Sequence, residues 1–345
     1  MRVSVVIPTH NRAHLVGRAL RSALSETTPG DEIVVVDDGS TDNTQGTVRE
    51  ISAGEPRIRY IFQAHAGAGA ARNRGTKEAT GDLLCFLDSD DEWLPGKIAL
   101  QRRFMESRRD VLFCFTDLVR EYGGQRYPRS IQTWHGDPRA WEEITGGRAE
   151  KFSSVAKLPE GVPDFRFFAG NIYLGEMKFN YVLTSCLAVR CREAGDAIHF
   201  TEGVKTFEDW ECFGRLAARG KAAYLDYETA IQYGHNGPRL TDAGLLATAE
   251  SRLAVLRAVW GSDEAFLAKH GPEYVALVRQ QELMRIRGLL VTGRAKEARK
   301  AVAEMRENVP FGYRAMAHMP GGLLAGLLQL RRRALGSETQ NVVSA

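Results

Sequence analysis

The first third of the chain alternates short apolar, β-branched runs with stretches of helical periodicity. The apolar runs are continuous and do not alternate with polar residues, which is typical of parallel strands buried on both faces. Helical stretches of about ten residues separate the runs, and another helix is expected after Pro95. The pattern predicts an α/β fold with a mostly parallel sheet and helices on both faces. The strand runs lie at 3–7, 32–37, 57–62 and 82–88, and the helical stretches at 13–24, 41–51 and 68–78.

The pattern changes twice further along the chain. Residues from about 123 to 174 are rich in glycine, proline and aromatic residues, which predicts a long insertion with short elements. After Pro238 the composition shifts to alanine, leucine and arginine in helical spacing. We therefore predict an N-terminal domain over 1–238 and a C-terminal helical region over 239–345. Further predicted elements are strands at 181–189 and 222–235, and helices at 206–220, 241–260, 263–291 and 294–306.

Composition narrows the class of protein. The 345 residues carry a net charge of +3, which is too small to suggest a nucleic-acid partner. The five cysteines form no CxxC pair, so reduced core thiols are expected rather than a zinc site. The N-terminal apolar run is too short for a signal peptide, and no run of about 18 apolar residues occurs. A cytoplasmic protein is the expectation.

Polar clusters follow three of the predicted strands. They read PTHN at 8–11, DDGSTDN at 37–43 and DSDDE at 88–92. In open parallel sheets, ligands bind at the carboxyl ends of the strands. These three clusters therefore predict one shared binding site.

The third cluster places Asp88, Asp90 and Asp91 directly after a buried strand. Mg²⁺ and Mn²⁺ prefer carboxylate oxygens, usually one or two of them together with substrate phosphates. A solvated acidic turn before a helix would have the same sequence. An EF-hand loop would need glycine where Trp93 stands, and a haloacid-dehalogenase-like phosphatase would need threonine in place of Glu92.

Two further motifs are compatible with a nucleotide. Asp37 and Asp38 end the second strand, where a carboxylate can accept hydrogen bonds from a base or a ribose; an ordinary helix start accounts for part of this motif. The segment GAGAARNRG at 67–75 resembles a dinucleotide fingerprint, but Arg72 occupies the third glycine position. Arg72 or Arg74 could pair with a phosphate, or both could be surface arginines.

Taken in order, these motifs resemble those of family 2 glycosyltransferases. The segments VSVVIPTHNR, VVVDDGSTDNT, GAGAARNRG and CFLDSDDEW agree in order and spacing over 3–95. The similarity continues more loosely through FEDWECFGRL and QYGHN. The resemblance implies a GT-A fold, an inverting mechanism, Mn²⁺ or Mg²⁺ as cofactor, and a nucleoside-diphosphate sugar donor, most often a UDP-sugar. It also implies a role in bacterial polysaccharide or glycoconjugate synthesis.

The resemblance assigns roles to individual residues. Glu208 and Asp209 match the family's ED pair, in which the aspartate is the expected general base; Thr206 and Asp209 also fit a helix capping box. His235 corresponds to a histidine near the metal or diphosphate, although the arginine frequent before it is Gly234 here. The implied donor site comprises Pro8, His10 and Asp38 at the nucleoside, Arg72 near the nucleotide, Asp88 and Ser89 at the ribose or donor sugar, and Asp90 at the metal.

The acceptor side is less defined. The insertion at 123–174 lies where the family varies with its acceptor, a glycan or a lipid-linked glycan. Residues 309–337 contain no acidic residue, and an apolar stretch there precedes three arginines. Such a segment at about 309–335 suits peripheral contact with the inner face of the cell membrane, or a terminal helix packed on the enzyme. A phosphatase-like hydrolase and a non-catalytic nucleotide-sugar binder remain as alternative functions.

Overall fold

The computed structural model describes residues 1–134, 136–204, 206–234, 244–305 and 309–319. The chain divides into two compact units, one comprising Met1–Val204 with Glu208–Gly237, the other Lys205–Phe207 with Pro238–Ala345. The strands are β1 (Val3–Thr9), β2 (Glu32–Asp38), β3 (Ile58–Gln63), β4 (Leu83–Phe86), β5 (Glu92–Trp93), β6 (Val111–Tyr122), β7 (Gln125–Tyr127), β8 (Ala149–Lys151), β9 (Arg166–Gly170), β10 (Leu187–Arg190) and β11 (Lys221–Tyr233).

The described strands form one mixed sheet in the first unit, in the order β3-β2-β1-β4-β10-β6-β11-β9-β8. Strands β3, β2, β1 and β4 are parallel to one another, whereas β10 runs antiparallel to both β4 and β6. The chain turns to one side of β1 for β2 and β3 and to the other side for β4. This reversal creates a crevice at the carboxyl ends of β1 and β4, where ligands bind in folds of this kind.

Helices cover the sheet because its central strands are buried and largely apolar. Every residue of β1 and β2 is buried, which requires packing on both faces. Four of the five cysteines are buried and all are free thiols, as expected. The helices of the first unit are α1 (Val16–Glu26), α2 (Thr44–Ser52), α3 (Ala68–Glu78), α4 (Lys97–Ser107), α5 (Ser130–Trp134), α6 (Trp141–Thr145), α7 (Tyr173–Lys178), α8 (Cys191–Ala194) and α9 (Glu208–Arg219).

The second unit is helical in its described part. Helices α10 and α11 approach closely at Gly288, where a Cβ atom would lie 2.8 Å from the backbone of Leu246. Helix α11 is kinked at His270, two residues before Pro272. Among the described helices none is both long enough and apolar enough to cross a bilayer. The helices are α10 (Leu245–Val259), α11 (Glu264–Val291), α12 (Ala295–Met305) and α13 (Phe311–His318).

The predicted α/β class is confirmed, and so is a mostly parallel sheet followed by helices. The predicted helix at 68–78 coincides with α3. Three features were not predicted: strand β6, the antiparallel direction of β10, and the entry of β8 and β9 from the 123–174 stretch into the main sheet. Direction and pairing depend on tertiary contacts that an apolar run does not encode.

Candidate active site

Most of the expected site residues lie at the carboxyl ends of β1, β2 and β4. Pro8 and His10 lie at the end of β1, Asp38 ends β2, and the acidic turn 88–91 follows β4. Register places Pro8 opposite Val36 of β2. The sheet therefore brings together motifs that are up to 80 residues apart in the sequence.

The buried guanidinium of Arg72 joins the acidic turn to helix α9. One of its terminal nitrogens donates to Asp88 Oδ1 at 2.9 Å and the other to Glu208 Oε1 at 2.9 Å. Burial alone would lower the pKa of Arg72, but the Asp88 and Glu208 carboxylates raise it, so the side chain stays charged. Arg72 therefore holds the ED pair beside the acidic turn, although the two segments are about 120 residues apart in the chain.

The three aspartates of the acidic turn have different surroundings. Asp88 is paired with Arg72. Asp91 is buried and accepts a hydrogen bond of 2.5 Å from Ser185 Oγ; burial first, and then the neighbouring Asp88 and Asp90, raise its pKa well above its usual range. The Asp90 side chain is 26% exposed, and its Oδ2 lies 4.0 Å from the Arg12 guanidinium. Of the three carboxylates, that of Asp90 is therefore best suited to bind a cation from solvent. Ser89, in the same turn, is buried.

The carboxylate of Asp38 organises the loop after β3. Its two oxygens accept hydrogen bonds from the Gln63 side chain and from the Ala66 and Gly67 amides, and His65 Nδ1 lies 2.8 Å from Oδ2. Nearly every lone pair of this buried carboxylate is thus engaged by the protein. A nucleobase N–H that bound Asp38 would therefore compete with the exposed His65 Nδ1 for a carboxylate oxygen.

His10 and His65 form a stacked pair above Asp38. Their ring centroids are 4.2 Å apart, and both Nδ1 atoms face the Asp38 carbonyl oxygen, at 2.7 and 3.1 Å. A carbonyl only accepts hydrogen bonds, so each Nδ1 carries a proton. The ligand atoms of the three residues lie within 4.8 Å of one another, a spacing that a metal could bridge. However, both Nδ1 atoms already donate to the Asp38 carbonyl oxygen, and the Asp38 carboxylate accepts from Gln63, Ala66 and Gly67, so contacts within the protein occupy these ligand atoms.

The ED pair lies at the start of α9. Asp209 Oδ1 accepts from the Trp210 amide at 2.7 Å, a contact that favours a carboxylate at the N-terminus of a helix. Burial first, and then the Glu208 carboxylate, raise the pKa of Asp209 to about 6, with Arg72 acting in the opposite direction. Asp209 is thus ionised at neutral pH but is a stronger base than an exposed aspartate.

A buried acid, Glu176 of α7, lies under this helix. Trp210 Nε1 donates to the Glu176 carbonyl oxygen at 2.6 Å, and the Glu176 carboxyl accepts from the Tyr181 amide at 3.1 Å. Burial, reinforced by Asp209, raises the pKa of Glu176 well above its usual range. Neither Glu176 nor Ser185 was identified from the sequence, because both lie in segments without a motif.

Trp141 of the 123–174 insertion is among the described residues, whereas His235 is not. Trp141 packs in a buried aromatic cluster with Tyr181 and Tyr224, with its ring stacked on Tyr224 at 3.8 Å. It therefore belongs to the core of the sheet. His235 lies outside the described residues, as does the tail from residue 320 onward.

Comparisons with known proteins agree with this architecture. The model of the family described as Glycosyl transferase family 2 matches residues 4–172. The Escherichia coli UDP-Glc:α-D-GlcNAc-diphosphoundecaprenol β-1,3-glucosyltransferase WfgD is 38% identical over 104 residues, which cover 30% of this chain and 40% of WfgD. The chain spans less than half the length of the curated relatives it matches, between 16% and 45%.

Solved structures extend the similarity along the chain. Staphylococcus aureus TarS 1–349 in complex with UDP-GlcNAc superposes with a TM-score of 0.59 at 18% identity, over 96% of this chain and 88% of TarS. Mannosyltransferase PcManGT from Pyrobaculum calidifontis, in complex with GDP-Man and Mn²⁺, gives a TM-score of 0.55 at 17% identity, over 97% and 81% of the two chains. At such identities these matches show the fold, which is of the GT-A type. The part of the chain at residues 4–172 therefore matches glycosyl transferase family 2.

Proposed function

We propose that this glycosyltransferase moves a sugar from a nucleoside-diphosphate sugar, with uridine as its base, to an acceptor hydroxyl with inversion at the anomeric carbon. The observation that carries the proposal is the double ion pair of Arg72. Through it, the turn that presents Asp90 and the helix that presents Asp209 share one site. A cation-binding carboxylate and a basic carboxylate on two segments that one arginine joins are what a sugar-nucleotide transferase requires.

The donor would bind across the crevice at the ends of β1 and β4. Pro8, His10 and Asp38 would surround the nucleoside, and Asp88 with Ser89 would lie near the ribose or donor sugar. The charge of Arg72 is already shared by two carboxylates, so we propose that it contributes to the nucleotide site mainly by holding Asp88. The TarS structure is a complex with UDP-GlcNAc, which supports a UDP-sugar as the donor.

The residues present fit a divalent cation. Asp90 offers a partly exposed carboxylate oxygen, and Asp88 adds negative charge in the same turn. Hard cations such as Mn²⁺ and Mg²⁺ take few protein oxygens when substrate phosphates complete their shell. When bound, such an ion would supply Lewis-acid stabilisation of the leaving nucleoside diphosphate. His235 is a further proposed ligand, on the resemblance alone.

Asp209 would act as the general base. Its carboxylate would take the proton of the acceptor hydroxyl as that oxygen attacks the anomeric carbon from the face opposite the diphosphate. The raised pKa of about 6 strengthens the base while leaving it ionised at neutral pH. Glu208 would orient this end of α9 through its bond with Arg72.

The acceptor is proposed to be a glycan or a lipid-linked glycan in bacterial polysaccharide assembly. The name of WfgD specifies a diphosphoundecaprenol-linked acceptor, which supports a lipid carrier. We place the acceptor side near the 123–174 insertion. Cytoplasmic activity at the inner face of the membrane, with contact through about 309–335, would suit such an acceptor; Phe311 on α13 is 84% exposed.

A thermal-shift panel tests the donor and the cation together. The wild-type protein is heated with UDP, GDP, dTDP, CDP or NAD, each with and without Mn²⁺. A ligand at about 100 times its Kd adds roughly 2.7 kcal/mol to the folded state, which is readily detected. We expect a shift with one diphosphate that requires Mn²⁺ and disappears in Asp90→Ala.

The control variant is Asp196→Ala, because the Asp196 side chain is 92% exposed and pairs with Arg219, at the opposite end of α9 from Asp209. An unchanged shift in Asp90→Ala would refute the metal assignment. Hydrolysis of a phosphomonoester by the wild type would instead favour a phosphatase. Metal-dependent binding without transfer to any acceptor would indicate a nucleotide-sugar binder.

A further inference from the structure

Arg18 of α1 contacts the acidic turn at the backbone of Asp90. Its Nη2 donates to the Asp90 carbonyl oxygen at 2.6 Å. A cationic donor makes a hydrogen bond roughly twice as strong as a neutral one. The contact joins residues 72 positions apart, so it fixes where the turn lies relative to α1.

The Arg18 guanidinium is itself held in place by the end of β11. Its central carbon lies 3.6 Å above the centroid of the Tyr233 ring, which is close for a cation–π contact. The Tyr233 hydroxyl donates to Glu92 Oε2 at 2.6 Å, and Arg18 Nε lies 3.9 Å from the same oxygen. Burial first, and then the bond with Glu92, raise the pKa of Tyr233 to about 12, so the phenol remains a donor.

These contacts form a closed arrangement around the turn, which we call the Arg18 clamp: Arg18, Glu92, Tyr233 and the Asp90 carbonyl. The three side chains come from α1, β5 and β11. Strand β5 also pairs with β11, since Trp93 lies opposite Ala230. Glu92, which follows Asp90 and Asp91, is therefore held through its backbone by the pairing of β5 with β11 and through its side chain by Tyr233.

The clamp has features that general stabilisation of the fold would not require. The Arg18 side chain is 34% exposed and that of Glu92 is 32% exposed, so neither fills the core. Arg18 donates to the backbone carbonyl of Asp90. The carboxylate of Asp88 pairs with Arg72 and that of Asp91 is buried against Ser185, whereas the Asp90 carboxylate has neither contact. We propose that Arg18 is a positioning residue that fixes the Asp90 carboxylate for the divalent cation, with Tyr233 and Glu92 orienting Arg18.

This inference rests on the proposed role of Asp90. Contacts that orient a metal ligand typically contribute about 10–100-fold to metal affinity. Lysine cannot replace Arg18 here, because a planar guanidinium can stack on a ring and donate in its own plane at the same time, whereas an ammonium cannot. The effect should thus appear in metal affinity while the fold persists.

The test is isothermal titration calorimetry of Mn²⁺ into the full chain at saturating UDP. Arg18→Lys should weaken Mn²⁺ binding by about tenfold or more. Tyr233→Phe keeps the ring face but loses the bond to Glu92, and a smaller loss of about threefold is expected. Arg21→Lys, the same change at an exposed position of the same helix, should match the wild type. Thermal unfolding without metal should be nearly unchanged in all three variants.

Two outcomes would overturn the inference: a wild-type Mn²⁺ affinity in Arg18→Lys, or a loss of affinity that only parallels a lower unfolding temperature of the metal-free variant. Asp90→Ala separates this inference from the proposed function. If Asp90→Ala binds Mn²⁺ as the wild type does, the metal site itself is wrong. If Asp90→Ala fails to bind and Arg18→Lys binds normally, only the clamp is refuted.

Discussion

The substitution Asp209→Asn should make the protein more stable and less active. The ionised carboxylate is disfavoured in the fold, since burial and Glu208 raise the pKa of Asp209 from 3.8 to about 6. A raised pKa in an acid means that the fold favours its neutral form, so the cost to stability is present above pH 6 and fades as the pH falls toward 4. Roughly two pKa units at about 1.4 kcal/mol each correspond to about 3 kcal/mol at pH 7.5, falling to about 1 kcal/mol at pH 4.5.

Asparagine removes the charge and can keep the hydrogen bond from the Trp210 amide. Urea unfolding at both pH values should therefore show a gain in the free energy of unfolding that is larger at pH 7.5. Transfer should fall by about 10²–10⁴-fold, because an amide cannot accept the proton, while UDP affinity with Mn²⁺ is retained. Asp196→Asn, a change at a side chain that is 92% exposed, should alter neither quantity.

The opposite result would refute this reasoning. If Asp209→Asn unfolds more easily at pH 7.5, the carboxylate is a structural helix cap and not a destabilised base. If the gain in stability is the same at both pH values, the substitution acts through packing. Unchanged transfer would remove Asp209 from the chemistry altogether.

Two further predictions concern the framework of the site. Arg72→Met should destabilise the protein by about 3 kcal/mol, because it leaves the buried Glu208 carboxylate without its partner. In a double-mutant cycle measured by urea unfolding, adding Glu208→Gln should restore part of that free energy, and additive losses would contradict the pairing. Gly75→Ala should cost about 1–3 kcal/mol, since its Cβ would lie 2.3 Å from Val6 Cγ1. Gly17→Ala should be neutral or stabilising by urea unfolding, since its Cβ would lie 3.2 Å from the flexible end of Arg21 and at ordinary contact distance, 3.5 Å, from Ile51 and Thr47. Equal effects of the two alanines would contradict the close approach of α3 to β1.

The N-terminal half of the fold was predictable because its signals are local. Continuous apolar runs specify buried parallel strands, and the polar residues that end them fall at one edge of the sheet by topology alone. The confirmed strands β1 and β2 and helix α3 illustrate this. By contrast, β6 begins VLFCF and is as apolar as β1, yet its place beside β10 and β11 depends on partners more than 70 residues away.

The same distinction separates the predicted site residues from those that were missed. Asp90 and Asp209 stand in motifs, whereas Arg18, Glu176 and Ser185 stand in ordinary helical or loop sequence. Each of the latter reaches the site only because a distant segment folds against it, as in the bond between Ser185 and Asp91. A residue that positions a functional side chain needs only a side chain of suitable length with a hydrogen-bonding group at its end. Such side chains are common, so a single sequence does not indicate which of them reach the site.

The electrostatics of the site explain why so much negative charge can be tolerated at one edge of the sheet. Burial raises the pKa of Asp91 well above its usual range and so opposes its ionisation, while Asp88, Asp90, Glu208 and Asp209 bring four further carboxyl groups to the same edge. Arg72 and Arg18 serve fixed contacts within the protein, to carboxylates and to a backbone carbonyl. Neither of these arginines is placed to compensate an incoming diphosphate. A diphosphate that approached this edge alone would be repelled, so a divalent cation that accompanies it would reverse the sign of the interaction and make binding depend on metal.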